Sequence, residues 1–380
     1  MSIINNNITY SKVESDRFKL KVYRGNTSNI DKKELLTTIL ENKIDVSIIR
    51  MPSHKIEQQF ELDKIGFPYI CADTLVYYKS NLEKSSINPI KNDLEFIIAT
   101  DEHTDILDSL INSIFIGYTN HYNSNPLLPK GDILNGYKEW ARGYINNSTN
   151  NKTTWIVKQG KENIGFATCS FNNETSECEG VLYGVSESHS GMGIYGDIIR
   201  FTQNHFKENG FKTMSVSTQI QNIAVQKVWT RESFFISEAY NTYHINSLLS
   251  ASINEIHTED ITINEKLIND YAQFTEDYNP IHTNEEFAKS IGLEDKIAHG
   301  IISNAILTKY YGTIFPGNGT LFKKYSYLFF LPLYINKTYT IEILFPIANK
   351  EKGLYKSVAI IKDKLTKEIC LVAYNDLIKK

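Results

Sequence analysis

Two short segments of the sequence carry residue types and spacings that could do chemistry. The first, Val181–Arg200, runs from a strand-like stretch through Gly191, Gly193 and Gly196 into an apolar helix. Glycines remove Cβ atoms, so that backbone N–H groups can converge on an anion at a helix N-terminus, where the dipole favours negative charge. A diphosphate suits such a loop, although a tight strand-to-helix turn would show the same pattern. A Rossmann site is disfavoured because no βαβ unit with an acidic ribose ligand follows.

The second segment places a carboxylate near an imidazole. It reads Asp-Tyr-Asn-Pro-Ile-His over residues 277–282 and is followed by Ala-His-Gly over 298–300. Asp277 and His282 on one stiff loop could hold a water between them, one taking a proton and the other delivering one. The N–H of Gly300, where a helix is expected to begin, could stabilise a developing oxyanion. The alternative is a structural hydrogen-bonded pair without turnover.

The bulk composition excludes several classes of ligand. The 380 residues include 40 basic and 44 acidic side chains, a net charge of −4, so no basic footprint for nucleic acid or membrane is present. The four cysteines have no metal-ligand spacing, which predicts a reduced chain without a metal. The start lacks the features of a signal peptide, and no apolar run of about 18 residues occurs. The expected location is the cytoplasm.

The elements that must position these segments fall into three blocks, 1–92, 93–249 and 250–380. The first two alternate helical and strand patterns, and the third is predicted to open helical and to become strand-rich after Tyr325. A polar, Ser-rich linker is predicted at Asn246–Asn254. The main predicted helices are Asp31–Glu41, Glu102–Phe115 and one ending near Glu208; the main predicted strands are Asp45–Met51, Tyr69–Lys79, Thr153–Lys158, Asn163–Asn172 and Gly180–Val185.

The first two blocks share a faint internal repeat. Phe67 matches Phe234 at an offset of 167 residues (234 − 67), and two further pairs keep that offset. Those pairs are Ala72 with Ala239 and Ser80 with Ser247. The pattern predicts two related strand–helix–strand units side by side, although chance could also produce three matches.

The glycine loop resembles the acetyl-CoA loop of the GNAT acyltransferase superfamily, with its central glycine kept and both flanking positions changed, to Ser190 and Tyr195. Residues 222–234 resemble the family's second signature, but Trp229 stands where many members carry a proton-donating tyrosine. An indole N–H cannot serve as that acid. The resemblance implies an α+β fold, a mixed sheet with helices on both faces, preceded by a GNAT-like half unit. It also implies acyl-CoA as co-substrate, held by Val185, Gly191, Met192, Gly193, Ile194, Gly196 and Asn222.

Glu179 is the candidate general base of this second block. It precedes Ser190 by eleven residues (190 − 179), where some GNAT enzymes place a catalytic glutamate. A carboxylate in a water-poor cleft could have a raised pKa and accept an amine proton, whereas an exposed strand-end glutamate is the plain alternative. His121, His189 and Asp73 are weaker candidates, and the amine could also deprotonate without a base.

The acceptor is suggested by aromatic and polar side chains that resemble those of GNAT enzymes acting on nucleotide-linked deoxysugars. Aromatic rings suit stacking on sugar and base faces, although core packing would use the same residues. The predicted acceptor contacts are Asp73, Tyr122, Tyr137 and Trp140.

The third block resembles the MaoC-like, R-specific enoyl-CoA hydratases over about Thr262–Ile343. That family has a hotdog fold, in which a sheet wraps one long helix, and the resemblance implies catalytic roles for Asp277 and His282, a CoA-side role for Gly300, and a homodimer or higher oligomer. The whole chain is thus predicted to transfer a short acyl group from CoA to a nucleotide-linked amino sugar. A hydratase–transferase with another amine acceptor, or a hotdog block that only oligomerises, are the alternatives.

Overall fold

The computed structural model describes residues 8–145, 151–251 and 257–380, and its strands form two sheets. The elements of the first two blocks are β1 Thr9–Tyr10, α1 Lys12–Phe18, β2 Val22–Asn26, α2 Lys32–Glu41, β3 Val46–Pro52, α3 Gln59–Asp63, β4 Tyr69–Asn81, β5 Glu95–Ile98, α4 Thr104–Phe115, α5 Lys130–Arg142, β6 Lys152–Gln159, β7 Glu162–Asn172, β8 Glu177–Val185, α6 Ile194–Glu208, β9 Thr213–Gln219, α7 Ile223–Arg231 and β10 Phe235–Asn246. Those of the third are β11 His257–Thr262, α8 Glu265–Thr275, α9 Pro280–Thr283, α10 Glu285–Ser290, α11 Ile302–Thr313, β12 Thr320–Phe329, β13 Thr338–Asn349, β14 Leu354–Asp363 and β15 Ile369–Lys379.

The first two blocks build one ten-stranded sheet in the order β1-β2-β3-β10-β4-β9-β8-β7-β6-β5. Two strand pairs in it are parallel, β2 with β3 and β8 with β9. We call residues 8–92 the first unit and residues 93–249 the second unit. The predicted boundary at residue 92 therefore lies within one continuous sheet, and the division of this sheet into two domains stays a prediction.

The predicted repeat corresponds to equivalent elements of the two units. β3 and β9 both begin and end 167 residues apart (213 − 46 and 219 − 52), and α2 and α6 end with the same offset. Gly66 and Ser233, also 167 apart, both have a positive φ, 83° and 64°. The two units therefore share a strand–helix–strand plan down to the turn before their last strands.

The two parallel pairs differ where a ligand would enter. β2 and β3 stay paired from Val22 and Val46 up to Asn26 and Arg50. β8 and β9 pair only as far as Gly180 and Val216, although both strands continue beyond these residues. The second unit therefore opens between its parallel strands, whereas the first unit is closed there.

The third block folds as a five-stranded antiparallel sheet, β11-β13-β14-β15-β12, around α11. The prediction that this block opens helical is wrong, because β11 precedes α8, and the later strands begin at Thr320 rather than after Tyr325. β11 is an edge strand whose residues are half-buried or exposed, so its sequence lacks the apolar alternation that marks a strand.

The second sheet packs on the first unit. Leu344, Val358 and Ile360 of that sheet share a buried cluster with Leu36 and Ile39 of α2. The predicted linker overlaps the end of β10 at Asn246, and its residues 252–254 lie outside the described residues. Within the described ranges, no helix combines the length and apolarity that crossing a membrane requires.

Candidate functional site

A cleft of about 1750 Å³ lies where β8 and β9 separate. Its second-unit side is formed by the glycine loop, the ends of β8 and β9, and the start of α7. Its other end is lined by side chains of the first unit, among them Glu14, Arg17, Arg24, Arg50 and Tyr77. The cleft thus spans both units, with room for two substrates.

The glycine loop has the backbone geometry that an anion site needs. A 3₁₀ turn at Glu187–His189 is followed by Gly191 and Gly193, whose φ values are 80° and 82°. Gly193 is the N-cap of α6, and no side chain caps that helix. The first N–H groups of α6 are therefore available to an anion at the positive end of the helix dipole.

Asp197 in the first turn of α6 does not repel such an anion, because its charge is compensated. Its carboxylate accepts hydrogen bonds from the N–H of Lys91 and Asn92, both 3.0 Å, and from Arg200 at 2.7 Å. Burial would raise the pKa of Asp197, but the hydrogen bonds from Asn92, Lys91 and Arg200 lower it below the ordinary value. The same contacts fix the segment between the two units beside the glycine loop.

All seven residues predicted to hold acyl-CoA line this cleft. Asn222 precedes α7, and its Nδ2 donates to Thr218 Oγ1 at 3.1 Å, which orients the side chain toward the gap between β8 and β9. Their role as acyl-CoA ligands stays a prediction, and it fits a diphosphate at the helix end with a pantetheine arm between the strands.

Glu179 lies on β8 one residue before the strands separate, and it lines the cleft. Burial raises its pKa, an effect that Arg50 partly offsets. Among the described residues, no hydrogen bond or ion pair engages its carboxylate. A half-buried carboxylate with a raised pKa at the point where two strands separate is suited to accept a proton.

The other base candidates are either paired with a neighbouring side chain or lie outside the cleft lining. His121 is buried, its Nδ1 lies 2.9 Å from Nε2 of His244, and burial lowers its pKa well below the ordinary value. His189 Nδ1 lies 3.0 Å from the Ser186 hydroxyl. Asp73 does not line the cleft: both its carboxylate oxygens are buried and lack a hydrogen-bond partner.

Asp73 thus lies outside the lining of the cleft, and its predicted contact with an acceptor stays a prediction. Burial raises its pKa, and the nearby Thr242 and Arg50 lower it in part. Thr242 lies between Arg50 and Asp73 across three adjacent strands, β3, β10 and β4. Asp73 therefore influences the cleft through its electrostatic effect on Arg50.

The three aromatic residues that are predicted to contact an acceptor all line the cleft, but their side chains differ in hydrogen bonding and exposure. Tyr122 donates to Glu14 Oε1 at 2.9 Å, and burial raises its pKa to about 12. The Tyr137 hydroxyl accepts from Asn120 Nδ2 at 2.8 Å. Trp140 is 46% exposed, and its ring centroid lies 6.3 Å from that of Tyr137.

Sequence reasoning missed two features of the cleft. Tyr118 reaches across from the segment after α4 to donate to Gln219 Oε1 at the end of β9, whereas Trp229 is buried against Tyr78. The arginines of the first unit were also missed, because they lie in no local motif. Only the strand order brings them to the second unit.

The third block contains a separate polar cluster of Asp277, His282 and His299, whose potential ligand atoms lie within 4.8 Å of one another. His282 Nδ1 lies 2.7 Å from the Ile297 carbonyl, so this nitrogen carries the proton and Nε2 is left as an acceptor. The imidazoles of His282 and His299 stack at 3.8 Å. Burial lowers the pKa of His282.

Residues 118–234 match the model of the Acetyltransferase (GNAT) family, and residues 252–364 match that of the MaoC like domain. A GNAT acetyltransferase domain is therefore followed by a MaoC-like hotdog domain, which confirms the predicted α+β fold class. Both families use acyl-CoA, which supports an acyl-CoA-using role.

Individual proteins match parts of the chain. An (R)-specific enoyl-CoA hydratase from Rhodospirillum rubrum is 35% identical over 79 residues, 21% of this chain and 55% of that protein. One from Aeromonas caviae is 28% identical over 84 residues, 22% of this chain and 63% of that protein. The chain thus spans less than two thirds of these relatives. A GCN5-related N-acetyltransferase from Kribbella flavida is similar in structure, with TM-score 0.41, 8% identity, and 59% of this chain and 81% of that chain covered.

Proposed function

We propose that the chain is a CoA-dependent N-acyltransferase whose reaction takes place in the cleft between β8 and β9. One observation carries the proposal: the parallel strands part after Gly180 and Val216, next to the uncapped N-terminus of α6. A diphosphate at that helix end and an extended arm between the strands would bring a thioester toward Glu179. The closed pair β2 and β3 gives no reason to expect a second acyl-CoA site in the first unit.

The reaction forms a bond between the acceptor nitrogen and the acyl carbon and breaks the carbon–sulfur bond of the thioester. Glu179, whose pKa is raised by burial, would take the proton that the amine loses, directly or through a water. The CoA thiolate that departs must be stabilised or protonated, and the buried Trp229 has no acidic group for this.

Tyr118 is the candidate proton donor to the thiolate. It lines the cleft, and its hydroxyl meets Gln219 at the end of β9, close to Asn222. Burial raises the pKa of Tyr118, while Thr218 and Asn222 lower it in part. The phenol therefore keeps its proton at neutral pH, so it can donate a hydrogen bond to the sulfur as the carbon–sulfur bond breaks.

The proposed acceptor is the 4-amino group of a nucleotide-linked 4,6-dideoxysugar, such as the thymidine-diphosphate sugar of anthrose-type glycan synthesis. The proposed acyl group is short, of the 3-hydroxybutyryl type. The size of the cleft and the exposed ring of Trp140 support an acceptor with flat apolar faces. A different amine acceptor is the alternative.

The test is transfer from a panel of acyl-CoAs to thymidine-diphosphate-linked amino sugars and to simple amines, followed by thiol release and mass spectrometry of the product. We expect the amino sugar with 3-hydroxybutyryl-CoA to give the highest kcat/KM. Absence of amide product with every amine, from a protein that binds acyl-CoA, would exclude the transferase assignment.

We also propose that the third block hydrates a short enoyl-CoA. The hydrogen bond from His282 Nδ1 to Ile297 leaves Nε2 free as a proton acceptor beside Asp277. The two groups could hold the water that adds across the double bond. The product, a 3-hydroxyacyl-CoA, would serve as donor to the cleft. If no hydration occurs, the block serves as an oligomerisation module, and a homodimer is expected in either case.

A further inference from the structure

The end of the cleft opposite the glycine loop carries cationic side chains from the first unit. Arg17 lies at the end of α1, Arg24 on β2 and Arg50 on β3, and all three line the cleft. We propose that Arg50, with Arg24 beside it, binds an anionic group of the acceptor, a phosphate or a carboxylate. The inference rests on the proposed function, because it assumes that an acceptor occupies this end.

Most charges of the cleft are already paired. Arg17 contacts Glu139 at 3.0 Å, Arg24 contacts Glu14, and Arg200 contacts Glu232. Among the described residues of the cleft lining, the cations without an ion pair are Arg50, Lys91, Lys152 and Arg231, and the acid without one is Glu179. The cleft thus keeps one free guanidinium at its first-unit end and one free carboxylate near the strand opening.

Arg50 is held ready for a ligand. Its Nε is buried and has no hydrogen-bond partner among the described residues, and a buried donor left unpaired costs free energy unless a ligand satisfies it. Asp73 lies two strands away behind Thr242 and does not contact it. A guanidinium presents parallel donors that match the two oxygens of a carboxylate or phosphate.

Arg24 adds positive charge beside Arg50, but its own guanidinium is already paired with an acid and does not compete for the ligand. Its guanidinium contacts Glu14, and Glu14 also accepts from Tyr122 at 2.9 Å, which fixes the arginine beside the cleft. Burial, together with Arg24 and Arg50, lowers the pKa of His244 to about 3. This effect shows that the positive field of the two arginines extends into the protein at this end of the cleft.

Neutral groups complete the surroundings. The buried His121 and His244 are neutral because their pKa values are lowered, so neither adds charge. An anion on Arg50 therefore has Arg24 as a second cation and Tyr77 as a neighbour, and the nearby acid is Glu179, whose pKa Arg50 lowers in part. The first unit, which lacks an open acyl-CoA site of its own, supplies the recognition of the acceptor.

The test compares Arg50→Gln with Arg142→Gln, which removes an arginine that is paired with Asp108 outside the cleft lining. Binding of thymidine diphosphate and of 4-aminobutyrate is measured by calorimetry on the full chain saturated with CoA, which occupies the glycine loop. We expect one of the two probes to bind wild type and Arg142→Gln equally. Arg50→Gln should weaken it by at least about tenfold, the scale for losing a charge-assisted pair, with CoA affinity unchanged.

The two probes distinguish the source of the anion, since thymidine diphosphate reports a phosphate and 4-aminobutyrate a carboxylate. Arg50→Lys should retain part of the affinity, because it keeps the positive charge but loses the parallel N–H donors of the guanidinium. Equal binding by wild type and Arg50→Gln, or binding of neither probe, would overturn the inference. If acyl transfer occurs and Arg50→Gln leaves the KM for the acceptor unchanged, the inference is also overturned, whereas the proposed function stands. Arg50-dependent binding without transfer to any amine would reject the proposed function alone.

Discussion

Thr74 and Asn241 lie opposite each other on the adjacent strands β4 and β10 of the large sheet, and the Thr74 hydroxyl donates a 2.9 Å hydrogen bond to Asn241 Oδ1. They are 167 residues apart (241 − 74), the offset that relates the two units, so each is the equivalent of the other. A local two-fold axis therefore passes between them. Each unit's last strand pairs with the other unit, β10 with β3 and β4 with β9, which makes the first unit part of the cleft.

Gly193→Val should raise the KM for acyl-CoA at least about tenfold or abolish activity, because φ is 82° at this N-cap and a β-branched residue there would displace the loop amides. Initial rates at varied acyl-CoA measure this. Gly210→Val is the matched control: φ is 84° and the surrounding space is open, but the residue lies outside the cleft lining. Equal kinetics for the two variants would remove the glycine loop as the acyl-CoA site.

Glu179→Gln should lower kcat by about 100-fold, the usual scale for loss of a general base. Because burial raises its pKa above 4.5, wild-type activity should rise with pH through that higher pKa, and the variant should lack this acidic limb. Glu177→Gln, on the same strand but exposed and outside the cleft lining, is the control.

The same pKa shift has a consequence for stability. A carboxyl whose pKa is raised by folding favours the folded state while it is protonated and destabilises it once pH rises through the raised pKa. Glu179→Gln should therefore melt at the same or a higher temperature than wild type at pH 7. A loss of activity below about threefold in this variant would mean that the amine deprotonates without Glu179.

Sequence reasoning found more of the cleft lining on its glycine-loop side than on its first-unit side. Gly193 and Asn222 belong to local motifs whose spacing survives folding, and Glu179 is fixed relative to them by one strand and one loop. Arg50 and Glu179 are far apart in the sequence. They line the same cleft only because the strands that carry them, β3 and β8, belong to one sheet, in the order β3-β10-β4-β9-β8. Asp73 lies on β4, which lines the cleft through Leu75 and Tyr77, but its own carboxylate is buried outside the lining.

Tyr118→Phe should lower kcat by about tenfold or more while changing the KM for acyl-CoA little, because the lost hydroxyl acts on the leaving thiolate. An aromatic thioester, whose thiol is more acidic, needs less protonation, so the defect should shrink with that donor. Tyr10→Phe, an exposed tyrosine outside the cleft lining, is the control. A defect of the same size with both donors would assign Tyr118 a structural role.

Asp277→Asn should abolish hydration of crotonyl-CoA and leave transfer of preformed 3-hydroxybutyryl-CoA intact, because Asp277 belongs to the polar cluster of the third block and does not line the cleft that contains Glu179. The lowered pKa of His282 keeps its imidazole neutral at pH 7, so the acidic limb of wild-type hydration should lie below pH 6.5, the ordinary histidine value. The loss of absorbance of the conjugated thioester measures hydration without any amine present. Asp270→Asn, on α8 and paired with Lys266, is the control and should hydrate normally.

If the wild-type protein transfers acyl groups but does not hydrate crotonyl-CoA, the cluster of Asp277, His282 and His299 has a structural role. If Asp277→Asn instead loses both activities and melts at a lower temperature, Asp277 stabilises the fold.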